Sequence, residues 1–210
     1  MARPPATETD TAFRLVLSVR SVGLTDDQFF RLCSDNRDLR IEMTAQKELI
    51  IMLPTKPKTG WRNAKITMRL GIWAEQDGTG VVFDSSAIFT LPNGAKRSPD
   101  ASWIPKSRWN RLTEEEQEEF TEICPDFVIE LRSISDRLRD VEEKMEEYMA
   151  NGSKLGWFLD PYKNRAVIYR PSQRPEGIES PTILSGDPLL PGFKFDFREI
   201  VTSIRSSGRQ

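Results

Sequence analysis

Glu130 sits in the middle of the run Asp126-Phe-Val-Ile-Glu-Leu-Arg132, and a carboxylate there is costly to bury unless it pairs with a cation or holds a metal ion. The run follows Pro125 and is dense in apolar, β-prone residues, which predicts a short buried strand. Alternation along a strand puts Phe127, Ile129 and Leu131 on one face and Asp126, Val128, Glu130 and Arg132 on the other. One face reads as core and the other carries charge. Upstream, Pro99-Asp100 offers a second carboxylate. Downstream, Lys144 and Tyr148 share a helical face beside the stripe Leu138-Val141-Met145, while Glu142, Glu143, Glu146 and Glu147 are expected to face water. On residue pattern alone two readings of Glu130 stand level. It is a metal-binding carboxylate, or it pairs with Arg132 or Lys144 and fixes the sheet.

What else the chain offers narrows the chemistry. There is no histidine, which removes imidazole bases, Ser-His-Asp triads and histidine metal ligands. Catalysis must draw on carboxylates, lysine, tyrosine, cysteine, serine or metal-bound water. The net charge of −2 gives no global basic field, so a polyanion would have to meet a local patch. Lys56, Lys58, Arg62 and Lys65 form the densest such cluster and could contact phosphates, although a cluster of this kind is commonly just solvated surface. Cys33 and Cys124 are too few and too far apart for a disulfide framework and read as buried thiols in a reducing cytoplasm. No apolar run approaches the ~20 residues that span a bilayer, so a soluble, cytoplasmic protein without a membrane partner is expected.

The elements that must position these residues follow from local signals. A chain of 210 residues with 38% hydrophobic content can bury a full core. The expected organisation is a loose tail over residues 1–11, one domain over 12–204 and a short tail over 205–210. Phe13–Val22 reads as a strand or a short helix. Thr25 followed by Asp26, Asp27 and Gln28 caps a helix to about Ser34. Leu39–Thr44 and Glu48–Leu53 form a hairpin, and an amphipathic helix runs from about Trp61 to Gln76. Val81–Phe83, Ala87–Leu91 and Ala101–Ile104 read as strands. Thr113 and Glu116 form a capping box for a short helix to about Phe120. After the strand around Glu130, Ser135 or Asp136 caps a helix to about Met149, closed by Asn151-Gly152. Leu155–Leu159 and Arg165–Tyr169 make another hairpin around the Asp160-Pro161 turn, a strand lies near Ile183, and a last helix spans about Phe197–Ile204. Trp103, Trp109 and Trp157 read as packing residues. This order predicts a mixed α/β sheet flanked by helices.

The segments Ser98-Pro-Asp-Ala-Ser-Trp-Ile104, Cys124-Pro-Asp-Phe-Val-Ile-Glu-Leu-Arg-Ser133, Lys144-Met-Glu-Glu-Tyr148, Asn151-Gly152 and Leu155-Gly-Trp-Phe-Leu-Asp-Pro161 resemble the Uma-type family of endonucleases, placed in the PD-(D/E)xK restriction-endonuclease-like superfamily. The resemblance extends from about Leu39 to Ile200. It implies a restriction-endonuclease-like fold and hydrolysis of DNA phosphodiester bonds with Mg²⁺, or Mn²⁺ in its place. Hydrolysis at an anionic phosphorus needs an activated water and charge neutralisation, and a dication held by carboxylates supplies both. The resemblance implies Asp100 and Glu130 as ligands, with the Leu131 carbonyl completing the site. It also implies Glu42 as a further metal carboxylate, against the plainer reading of an exposed strand glutamate. Where the superfamily pattern has Glu-x-Lys, this chain has Glu130-Leu131-Arg132. Arginine keeps its proton, so Arg132 can orient Glu130 or steady negative charge but cannot act as a base. Lys144 is the candidate for the missing lysine, against an ordinary solvated lysine paired with Glu147 or Asp140. A homodimer is expected because cutting two strands favours two-fold symmetry. The alternative is a non-catalytic nucleic-acid-binding or interaction module on the same fold.

Overall fold

The computed structural model describes residues 14–52, 54–118, 122–134 and 136–201. In chain order the first half comprises β1 (Arg14–Ser18), α1 (Asp26–Asp35), β2 (Arg40–Met43), β3 (Glu48–Met52), α2 (Pro57–Asp77), β4 (Gly80–Asp84), β5 (Phe89–Thr90), β6 (Lys96–Arg97) and β7 (Ala101–Pro105). The second half comprises α3 (Lys106–Trp109), α4 (Glu114–Glu118), β8 (Phe127–Leu131), α5 (Leu138–Ala150), β9 (Leu155–Asp160), β10 (Arg165–Tyr169), β11 (Glu176–Glu179), β12 (Ile183–Ser185), β13 (Lys194–Asp196) and α6 (Arg198–Val201). The tails, Phe13, Leu53, Phe120, Ser135 and the end of the last expected helix lie outside the described residues.

Two sheets organise the molecule. A five-stranded antiparallel sheet has the order β1-β3-β2-β6-β5, and a six-stranded sheet has the order β11-β10-β9-β8-β7-β4. The second is mixed, because β8 and β9 run parallel while its other neighbours are antiparallel. A parallel pair needs a crossover, and α5 supplies it. The fold is therefore the mixed α/β arrangement that the residue pattern predicts.

The strand around Glu130 alternates as expected, but both of its faces are buried. Phe127, Ile129 and Leu131 pack with Ile66, Leu70 and Ala74 of α2. Val128 packs on the other face with Met145 and Tyr148 of α5. Trp103 and Trp157 belong to the first cluster, and Trp109 packs at the edge of the second. Phe29 of α1 covers Ile41, Met43 and Leu49 in the five-stranded sheet.

The expected caps form, and at Thr25 the expected N-cap is a full capping box. Thr25 Oγ1 accepts from Gln28 N–H while Gln28 returns to Thr25 N–H, and Thr113 and Glu116 do the same. Other boundaries move. The helix α2 begins at Pro57 rather than Trp61, because Pro fits the first turn, where its missing N–H leaves no bond unmade. The Asp136 carboxylate accepts from Ser133 N–H at 2.6 Å inside a turn, so α5 begins later, after Arg137, without a side-chain cap. Asp160 does form the expected turn, its Oδ1 accepting from the N–H groups of Tyr162 and Lys163. The cysteines are both free, with Cys124 buried and Cys33 only half-buried.

Candidate active site

The site lies where the chain crosses from one sheet to the other. The strand β6 pairs with β2 in register Met43↔Lys96, which sets Arg97 opposite Glu42. Four residues after Arg97 the chain enters the second sheet, where Ala101 pairs with Ile129. Just before that pair, Asp100 N–H donates to the Ile129 carbonyl and the Asp100 carboxylate accepts from Leu131 N–H, which brackets Glu130 and sets Asp100 beside it. The helix α5 crosses the same face and delivers Lys144 and Tyr148. Glu42, Asp100 and Glu130 are all buried.

The contacts among these groups are specific. Lys144 Nζ lies 2.7 Å from Glu130 Oε1 and donates to Glu42 Oε1 at 2.8 Å and to the Ser98 carbonyl at 3.1 Å. The Tyr148 hydroxyl donates to Glu130 Oε1 at 3.1 Å. Asp100 Oδ2 accepts from Leu131 N–H at 2.8 Å, and Oδ1 accepts from Arg40 at 3.2 Å. Arg40 also donates to the Ser98 carbonyl. Glu42 accepts from Ser98 N–H and from Arg97, each at 3.2 Å. Arg97 in turn holds Glu147 at 2.5 Å.

Charge is unevenly balanced. Burial pushes the Glu130 carboxyl up to about 7; Lys144 opposes the rise and the negative charges of Asp100 and Glu42 add to it. Burial would also raise Glu42, but Lys144, Arg97 and Arg40 outweigh it and hold its carboxyl down to about 2. Burial works against the Lys144 ammonium, yet Glu130 and Glu42 keep it above its ordinary range, so it stays protonated.

Of the residues singled out from sequence, the structure brings Glu42, Asp100, Glu130, Leu131 and Lys144 together. It separates others. Arg132 donates to Asp160 Oδ2 at 2.7 Å, because the parallel register Leu131↔Leu159 places residue 132 beside residue 160. Its expected role of orienting Glu130 is therefore corrected. Arg62 is buried; its Nε donates to the Ile200 carbonyl at 2.7 Å and its guanidinium stacks over Tyr162. It is not part of an exposed basic cluster, since it lies one turn before Ile66 on the helix face that packs into the core. Lys65 faces Glu199 at 3.6 Å, while Lys56 and Lys58 are exposed at the amino end of α2. Glu147 does not face water, because Arg97 and Asn93 hold it. The plainer pairings of Lys144 with Glu147 or Asp140 give way to Glu42 and Glu130; Asp140 pairs with Arg14. Arg40, Arg97 and the Ser98 backbone are site members that the residue pattern did not single out; Tyr148, expected beside Lys144 on its helical face, joins them through Glu130.

The family model described as "Putative restriction endonuclease", Uma2, matches residues 26–198. The chain belongs to the Uma2 family. A crystal structure from Anabaena variabilis, described as "a putative nuclease belonging to DUF820", superposes with a TM-score of 0.69 at 21% identity, covering 84% of this chain and 97% of its own. At that identity the likeness speaks for the fold, which this Uma2 chain shares. No curated protein matches it. Membership of that family points to nuclease chemistry. Among the described residues, no helix is long and apolar enough to cross a membrane.

Proposed function

We propose that the chain is a divalent-metal-dependent endonuclease that hydrolyses DNA phosphodiester bonds as a homodimer. The observation that carries this reading is that buried Asp100, held by Leu131 N–H, stands next to buried Glu130, which has the Lys144 ammonium on it. Burial holds the Glu130 carboxyl up to about 7, and the neighbouring charges of Asp100 and Glu42 add to the rise against the pull of Lys144. An all-oxygen donor set suits a hard cation such as Mg²⁺ or Mn²⁺. Among the described residues no three acidic or thiol side chains stand at metal-holding spacing. Mg²⁺ is typically held by one or two carboxylates and completes its shell with water and phosphate oxygens.

Asp100 and Glu130 would hold the ion, with the Leu131 carbonyl as the backbone ligand. Glu42 fits that task less well, because its oxygens already accept from Lys144, Ser98 N–H and Arg97. It serves better as the anchor of Lys144. When bound, the ion would neutralise phosphate charge and acidify a water. Lys144 is fixed at both ends of its reach by Glu42 and Glu130 and keeps its proton, so it acts as a charged donor toward the reacting phosphate rather than as a base. Tyr148 keeps its proton too, since burial and Glu130 hold its hydroxyl well above the usual range. Lys56 and Lys58 supply phosphate contacts away from the chemistry.

The test is incubation of supercoiled plasmid, and of an RNA of matching sequence, with Mg²⁺, Mn²⁺ or chelator. Nicking of the plasmid that stops on chelation is expected. Reversing both charges in Lys56→Glu/Lys58→Glu should weaken binding alike for unrelated sequences and lower the salt slope by about 2. DNA binding without cleavage under any metal would assign the chain to the non-catalytic class instead.

A further inference from the structure

β1 is exposed at every residue, with Leu15, Val16 and Leu17 at 37%, 45% and 42% of full exposure. It ends the five-stranded sheet, so among the described residues its outer edge meets no other strand. A bare apolar edge is a template for a further strand. The register tells which backbone groups face out. Val19 N–H donates to the Lys47 carbonyl and Ser18 stands opposite Glu48. By antiparallel alternation Leu15 and Leu17 direct their N–H and C=O groups to β3, and those of Arg14, Val16 and Ser18 point outward.

We propose that β1 pairs antiparallel with β1 of a second copy about a two-fold axis through Val16, joining two five-stranded sheets into one. In that register Val16 meets Val16, Leu15 meets Leu17 and Arg14 meets Ser18 of the second copy. Outward backbone meets outward backbone over the full strand, and apolar side chains meet apolar ones. The lone charge of β1 lies opposite a hydroxyl. An axis through Leu17 would pair only Val16, Leu17 and Ser18 within the strand and leave Arg14 and Leu15 beyond it, and an axis through Leu15 would leave Ser18 outside the described pairing. The strand is thus self-complementary in charge, apolarity and hydrogen bonding at one register, which is what a two-fold contact demands.

The pairing has a geometric consequence for the site, and only this consequence rests on the nuclease reading. Val16 stands opposite Ile50, and Ile50 opposite Glu42. Glu42 therefore lies on the row that passes through the axis, on the same face as Val16. Between the two Glu42 residues run five interstrand steps, about 24 Å at the usual spacing. The two-fold axis runs perpendicular to the joined sheet, so both Glu42 residues lie on its same side, as two strands of one substrate cut by a dimer require.

The experiment uses the full chain. Sedimentation at tens of micromolar should give a dimer. In a Cys33→Ser background, Val16→Cys should form a covalent dimer under mild oxidation, whereas Ser18→Cys should not, since its opposite is Arg14. Val16→Lys should convert dimer to monomer with an unchanged circular dichroism spectrum, which the exposure of Val16 permits, and with a melting temperature that no longer depends on protein concentration. A monomeric wild type would overturn the proposal. So would a dimer that survives Val16→Lys, or one that cross-links as well through Ser18→Cys. None of these readouts uses cleavage, so a dimeric but inactive protein would sink the nuclease reading and leave the pairing standing.

Discussion

Asp126 and Glu130 stand four residues apart on one face of the same stretch of chain, both are buried, and each has a lysine within 2.8 Å. Their surroundings differ in one respect. Asp126 is a single carboxylate between two cations, Arg108 and Lys154. At Glu130 the four carboxylates of Glu42, Asp100, Glu130 and Glu147 share the three cations Arg40, Arg97 and Lys144. A buried carboxylate amid surplus cations is a fastening. A surplus of carboxylates leaves room for one more cation, and this makes the second place a candidate site while the first is a joint. The distinction is invisible in either residue alone.

The largest effect expected from this difference is on function. Asp100→Asn and Glu130→Gln should each lose Mg²⁺ binding and about 4 kcal/mol of transition-state stabilisation, on the order of 1,000-fold in turnover. Lys144→Ala should cost on the order of 100-fold in turnover and keep DNA binding. Calorimetry and single-turnover cleavage read these separately, and an unchanged Mg²⁺ affinity in Asp100→Asn would end the distinction. Stability should rank the two places the other way. Asp126→Ala removes the partner of two cations and should cost about 3 kcal/mol, the low end for a broken buried pair because both cations keep partial access to water. Glu130→Gln relieves repulsion and should leave the melting temperature level or higher. Denaturant titration of both variants gives the order directly.

Why the joint and the site look alike in sequence is a matter of range. The alternation of Phe127, Ile129 and Leu131 was legible because it depends on neighbours two residues away, as were the N-cap at Thr25 and the box at Thr113. The inward turn of Arg62 was legible too, one helical turn before Ile66, but the basic residues around it drew the reading outward. Arg40 and Arg97 could not be read, since they meet Asp100 and Glu42 across 60 and 55 residues. β6 is two charged residues long and exists only through its partners β2 and β5. The family resemblance, not periodicity, brought Glu42, Asp100 and Glu130 into one site. What it could not supply was the charge balance, which depends on which arginines arrive.

Acidity should separate the two places as well. In the unfolded chain the Glu130 carboxyl loses its proton near its ordinary 4.5, and in the folded protein near 7. Between those values the native state binds the extra proton, so this group favours folding at pH 5 and withdraws that support as pH rises through 7. Stability should therefore fall by on the order of 2 kcal/mol from pH 5 to pH 7.5, and Glu130→Gln should flatten the slope. Below pH 4.5 the sign reverses, because Glu42 is held down to about 2 and its contribution is lost as it protonates. Mg²⁺ affinity should climb over the same upper window, as the proton on Glu130 competes with the metal. A wild type whose denaturation midpoint is flat from pH 5 to 7.5 would mean that Glu130 is as well matched as Asp126.

The smallest effect concerns the two lysines. Lys154 reaches Asp126 at 2.8 Å and Lys144 reaches Glu130 at 2.7 Å, yet equal lengths do not mean equal worth. The Lys154 side chain is 58% exposed, so water screens the pair and takes over the ammonium when the partner is lost, and Arg108 still holds Asp126 in its absence. Lys154→Ala should cost less than about 1 kcal/mol. The Lys144 side chain is only 13% exposed and stands between two buried carboxylates that repel once it is gone. Its removal should therefore depend on what else is removed: severe alone, and much milder in Lys144→Ala/Glu130→Gln, where one of the repelling charges has gone too. Lys154→Ala paired with Asp126→Ala should be nearly additive, since Arg108 and water dominate there. Two double-mutant cycles in denaturant measure both couplings. Equal coupling in the two pairs would show that the carboxylate surplus around Glu130 has no energetic meaning.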